Sequence, residues 1–77
     1  MNNPRRKQLK KALELIAEAR AIIEAMAEEE AEAYENMPEG LQESERGERI
    51  AENVDALEDI AAELEDHEST LEDVITG

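Results

Sequence analysis

Asn36-Met37-Pro38-Glu39-Gly40-Leu41-Gln42-Glu43-Ser44 is the stretch that decides the fold of this 77-residue chain. A helix arriving from the N-terminal side ends at Met37, because the residue before a proline is pushed out of the helical region by the pyrrolidine ring. Gly40 marks a turn, and Ser44 offers a side-chain oxygen to the free N–H groups of a helix that starts just after it. Residues 37–44 are therefore expected to be a turn between two helices. Within it Pro38 and Gly40 shape the chain, Leu41 and Met37 plug the end of the helix pair, and Gln42 and Ser44 satisfy free helix-terminal groups.

Working outward, the N-terminal side predicts a helix over about 4–36, with Asn3 as its N-cap and Pro4 at the first helical position, where a missing N–H costs nothing. Apolar residues recur there at helical spacing. With Leu9 at heptad position a, the a positions hold Leu9, Ile16, Ile23, Glu30 and Met37, and the d positions hold Ala12, Ala19, Met26 and Ala33. Small residues at d would let a second helix approach closely. On the C-terminal side Ile50, Val54, Leu57, Ile60, Ala61, Leu64, Leu71, Val74 and Ile75 predict a helix over about 45–75, with Asn53 and His67 as polar interruptions of the stripe. A short connection makes the two helices antiparallel neighbours. Matching the stripes puts Tyr34 near Ile50, Ile23 near Ile60 and Ala61, and Leu13 near Leu71. The expected fold is all-α: one domain, 1–77, forming an antiparallel two-helix, coiled-coil-like hairpin.

The chain has no cysteine, tryptophan or phenylalanine, and Tyr34 is its one aromatic residue. Aliphatic side chains alone can fill a thin seam between two helices but not a large interior. Below about 80 residues a single core seldom supplies more than ~3–5 kcal/mol without disulfides, metal, oligomerisation or very regular helix packing. Leu15 and Ile22 lie at g, beside the seam, where a lone hairpin leaves them partly wet. They are the expected contacts of a homodimer, because two-fold association is the commonest symmetry and would give a four-helix bundle.

Twenty-two acids against eight Lys and Arg give a net charge of −14. Affinity for phosphate backbones and for anionic lipid rests on basic side chains, so direct nucleic-acid and membrane binding are disfavoured. No apolar run nears the ~20 residues that span a bilayer. The basic start lacks the apolar stretch of a secretory signal, and a cytoplasmic protein is expected. Arg5, Arg6, Lys7, Lys10 and Lys11 oppose the dipole of the first helix, as Glu68, Glu72 and Asp73 oppose that of the second. A hairpin brings these two ends together, so cross-helix attraction is expected there.

Few residue constellations suggest chemistry. His67 on the seam has the titration range of a metal ligand or pH switch; a polar residue fixing register is the simpler role. A carboxylate-bridged di-iron bundle needs Glu-x-x-His, but Leu64 stands three residues before His67. Glu28, Glu29 and Glu32, followed by Glu52 and Asp55, look like the magnesium-binding signature of all-α nucleotide pyrophosphohydrolases, where carboxylates hold metal against substrate phosphates. That resemblance implies a Mg-dependent enzyme as the alternative reading. No basic phosphate clamp or aromatic base pocket accompanies the acids, and heptad placement points Glu28, Glu32, Glu52 and Asp55 outward. The primary expectation is no enzyme, no cofactor and no metal.

The acids themselves are the stronger feature. Glu24, Glu28, Glu29, Glu32, Glu35, Glu39, Glu43, Glu45, Glu48, Glu52, Asp55, Glu58 and Asp59 gather toward the turn end and the outer faces. Such a surface keeps a small helical protein soluble. It can also occupy a basic groove meant for phosphates, with long-range steering of the encounter. The expectation is a non-catalytic acidic interaction module with a basic protein partner, or, failing a partner, a purely structural helical dimer.

The segment Tyr34–Gly47 resembles the N-[ILM]-P-E-x-L-Q-x-S turn of small uncharacterised proteins from Gram-positive bacteria and their phages, carried here by Asn36, Met37, Pro38, Glu39, Leu41, Gln42 and Ser44. Those proteins also set this turn between two Glu- and Ala-rich helices, so the likeness covers most of the chain, although only the turn is specific. The resemblance implies a helical hairpin and a bacterial or phage source. It carries no assigned activity; a phage source taken together with the acidic surface makes a nucleic-acid mimic that inhibits a host or defence protein the sharper expectation.

Overall fold

A computed structural model describes residues 1–77. Helix α1 spans Asn3–Glu35, a single helical turn α2 spans Glu39–Gln42, and helix α3 spans Glu45–Thr76. The long helices lie side by side as a hairpin whose backbone measures 58 × 14 × 13 Å. Both fall within a residue or so of the expected ranges. The turn differs: Pro38 accepts at its carbonyl from the N–H groups of Leu41 (2.8 Å) and Gln42 (3.0 Å), so part of the turn is itself helical. The first cap is Asn2 rather than Asn3. Its Oδ1 accepts from Arg5 N–H at 2.9 Å, while its backbone is extended as an N-cap requires. Pro4 then falls at the second helical position, where its missing N–H is equally harmless.

The seam follows a different heptad frame from the one hydrophobicity suggests. In α1 the residues withdrawn from solvent include Leu9, Leu13, Ile16, Arg20, Ile23, Ala27, Glu30 and Tyr34, and Met37 just past its end continues the alternating steps of three and four. In α3 they include Gly47, Ile50, Val54, Leu57, Ala61, Leu64, Glu68, Leu71 and Ile75, with the same alternation. Ala27, Ala61 and Ile75 are the buried apolar residues. Taking Leu13 and Val54 as a, these two sets are the a and d positions.

The expected d residues Ala19, Met26 and Ala33 are exposed, as are Asn53 and His67. They lie one position off the seam. Close approach of the helices comes instead from Ala27 and Ala61, and the polar seam positions are Arg20, Glu30 and Glu68. Of the three anticipated polar residues, Glu30 alone is in place.

Gly47 closes the turn. It is buried in the first turn of α3, and a Cβ there would sit 2.3 Å from the Gln42 carbonyl oxygen and 2.5 Å from that of Leu41. The backbone of α2 therefore rests directly on α3. Gly40 has open space around it and a negative φ, so it is not the residue that shapes the bend. Gln42 Nε2 donates to the Tyr34 carbonyl at 2.8 Å, a second bond to an acceptor that already takes the Met37 N–H at 3.1 Å, and so ties α2 to the end of α1. Ser44 caps α3: its Oγ accepts from Gly47 N–H at 3.3 Å and donates to the Leu41 carbonyl. Met37 packs partly into the end of the seam, but Leu41 is 53% exposed and plugs nothing in a single hairpin.

Candidate acidic interaction surface

In an antiparallel pair the e positions of the two helices flank one side of the seam and the g positions flank the other. The hairpin is thus a rod with two faces, one on either side of the plane of its helices, and the grooves along it show which residues share each. One groove is lined by Glu24, Glu28, Glu58 and Glu65 over a floor of Ala27 and Ala61. All four carboxylates belong to e and b positions. On the opposite side Ala33, Asn36, Leu41 and Arg46 line a second groove, and Asn53 and Ala56 sit beside Glu30 in a third. Those flanking residues are at g and c.

Charge divides along the same line. The e, b and f positions carry Glu14, Glu18, Glu24, Glu28, Glu32 and Glu35 on α1. On α3 they carry Glu45, Glu48, Glu52, Asp55, Glu58, Asp59, Glu65, Asp66, Glu72 and Asp73. Only Glu29 and Glu63 represent acids at g and c. One face and both edges are therefore acidic, and the other face is nearly free of acid.

All thirteen acids anticipated as an interaction surface are exposed. Glu29 lies on the acid-poor face, with Glu63 and the basic Arg5, Arg46 and Arg49, and Glu39 and Glu43 belong to the turn. The acidic face also extends further toward the open end than expected, through Glu65, Asp66, Glu72 and Asp73. Hydrophobic counting alone does not reveal this; the heptad frame does. On the α1 side Lys7, Lys10 and Lys11 interrupt the acidic face. None of the five bases at the start of α1 forms an ion pair, contrary to the expected cross-helix attraction at the open end; both ion pairs of the structure belong to Arg20.

Arg20 is held by two carboxylates. Its Nε and Nη2 donate to Glu68 across the seam, the latter at 3.4 Å, and its Nη1 donates to Glu24 one turn along at 2.7 Å. The hydrogen bond to Glu68, and then that to Glu24, raises the guanidinium above its ordinary pKa, against a smaller opposing effect of desolvation. The Glu68 side chain is only 12% exposed.

The apolar counterpart is the g/c face. Leu15 is 52% exposed and Ile22 63%, as expected of a lone hairpin, and Met26, Ile60 and Val74 join them at 43–44%. The five acids that suggested a magnesium site do not converge: Glu29 is on this face, while Glu28, Glu32, Glu52 and Asp55 point outward elsewhere. No three His, Asp or Glu side chains stand close enough to hold a metal ion. No helix is long and apolar enough to cross a membrane.

No family model matches the chain, and no curated protein or solved structure matches it. Geometry and charge therefore carry the functional assignment.

Proposed function

We propose that this chain is an acidic interaction module that binds a basic groove of a protein partner. The observation that supports this reading is the segregation of acids onto one face and the edges of a rigid rod. Charge needed only for solubility has no reason to avoid one face so consistently. A net charge of −14 over 58 Å is about one charge per 4 Å of rod, against one per ~3.4 Å along a single nucleic-acid strand. The density is that of one phosphate strand, not of a duplex. A groove that grips a single backbone is the matching target, and inhibition of a nucleic-acid-binding host or defence protein is the activity that follows. Two hairpins associate through their acid-poor faces into a four-helix bundle, which leaves both acidic faces outward.

The test is competition. A panel of single-strand-binding and duplex-binding bacterial proteins is challenged with the hairpin, and release of labelled oligonucleotide is followed at low and high salt. Release from a single-strand groove that weakens with salt, and weakens again in a Glu24→Gln, Glu28→Gln, Glu58→Gln, Glu65→Gln variant, supports the proposal. Binding that is indifferent to both changes overturns it.

A further inference from the structure

We infer that the acid-poor face pairs with a second copy of this chain about a two-fold axis at the level of the Arg20–Glu68 pair, laying α1 on the partner's α1 and α3 on the partner's α3. The inference rests on the bundle proposed above and specifies its geometry.

Arg20 and Glu68 bridge the two helices, so the residues just before them, Ala19 and His67, stand at the same level of the rod within a turn. Both are exposed and both lie on the acid-poor face. Large apolar residues are disposed evenly about this level: Leu15 and Ile22 on either side of Ala19, Ile60 and Val74 seven residues either side of His67. A two-fold axis perpendicular to the rod there sets Leu15 against the partner's Ile22, Met26 against the partner's Ala12, and Ile60 against the partner's Val74. Large side chains meet small or complementary ones, as interdigitated packing requires.

The charges on this face agree with the same axis. Glu29 falls opposite the partner's Gln8, with the partner's Arg5 less than a turn away, and Glu63 falls opposite the partner's Thr70. Both acids thus meet donors. Pairing through this face keeps the sixteen acids at e, b and f out of the contact. The area is of the right order as well: the axis pairs α1 along its whole length and α3 over residues 58–76, about 48 Å of rod at 1.5 Å per residue and roughly 700 Å², against the ~800 Å² each partner gives to a standard interface. The resulting bundle shows two acidic faces back to back, so one dimer can engage two grooves or two sites of one assembly.

Sedimentation equilibrium and distances between spin labels test this. The chain has no cysteine, so Glu18→Cys and Glu35→Cys each place one nitroxide per chain, at exposed positions off the interface. Residue 18 is at the axis level, and its labels should lie within about twice the 8–10 Å spacing of packed helices. Residue 35 is about 16 positions away, so at 1.5 Å per residue its labels should be separated by about 50 Å. Ile22→Glu should yield a monomer with unchanged helicity, since Ile22 is 63% exposed in the hairpin. A wild-type chain that stays monomeric at millimolar concentration overturns both the bundle and this axis. A dimer with short distances at both positions keeps the bundle but overturns the axis, because it would stack the hairpins with their turns together.

Discussion

Arg20 and Glu68 occupy facing a positions in the middle of the seam, where neighbouring layers hold aliphatic residues or alanine. Two charges at core positions are poor evidence for stability, since desolvation offsets most of their attraction. They are better suited to fixing register. A heptad slip of the helices would leave every aliphatic residue opposite another seam position, but would strand a carboxylate that is now 12% exposed.

The first prediction follows from that asymmetry. Arg20→Leu alone leaves Glu68 without its partner at a nearly buried position, and Tm falls by several degrees. Glu68→Leu alone costs less, because Glu24 still holds the guanidinium at 2.7 Å. The double variant Arg20→Leu/Glu68→Leu recovers the wild-type Tm or exceeds it, as apolar replacements of buried ion pairs do. Its penalty is looser register, visible as broadened amide resonances along α3. Additive losses in thermal melts of the three variants would exclude this role.

Two glycines seven residues apart should respond in opposite directions. Gly47→Ala drives a Cβ against the carbonyl oxygens of Leu41 and Gln42, and backbone cannot step aside cheaply. Overpacking of this kind costs about 1–3 kcal/mol, a large share of what so small a core supplies. Gly40 has nothing within 4 Å and a negative φ, so Gly40→Ala should stabilise by about 0.4–1 kcal/mol through the unfolded chain. Urea titrations of both variants, followed by helical circular dichroism, measure the two shifts.

Gln42 ties α2 back to α1 through the Tyr34 carbonyl, a link of 2.8 Å between residues on either side of the bend. Gln42→Leu keeps the volume and removes the donor. The loss should be about 0.5–1.5 kcal/mol, the net worth of one such bond. Hydrogen exchange should locate the change at the amides of Met37 and Asn36, which are held by the last carbonyls of α1.

These residues also show which parts of the fold the sequence makes legible. Pro38 and Ser44 act through their own covalent geometry and side-chain oxygen, so the helix ends they set are readable without knowing the partner. Which stripe of α1 faces α3 is another matter. Ala12, Leu15, Ala19, Ile22 and Met26 repeat as regularly as Leu13, Ile16, Ile23 and Ala27, and hydropathy favours an alanine over Arg20 at the seam. What settles the frame is Glu68, 48 residues away, which accepts the guanidinium. Gly47 is silent for a similar reason: its necessity comes from the packing of α2, a helical turn too short to announce itself by period. The acids were visible as a total, while their confinement to e, b and f emerges only once the frame is known.

Alkali and salt should act on the hairpin in ways that separate its one cross-helix ion pair from its surface charge. Hydrogen bonds to Glu68 and Glu24 raise the Arg20 pKa in the folded state. A group raised on folding contributes fully below its unfolded pKa and loses that contribution only as pH rises through the folded value. For an arginine both lie above ~12, so the Arg20 contribution should be constant from neutrality to about pH 10. Surface charge behaves otherwise. At −14 the acidic faces repel one another along a rod only 14 Å wide, and a screening length of ~10 Å at 0.1 M salt shortens that repulsion. Adding sodium chloride should therefore raise Tm by several degrees. The gain should be smaller in the Glu24→Gln, Glu28→Gln, Glu58→Gln, Glu65→Gln variant, which has less repulsion to screen. Thermal melts across salt concentrations at pH 7 and pH 10 measure both effects; a Tm that falls with salt would mean that attraction, not repulsion, dominates the charged faces.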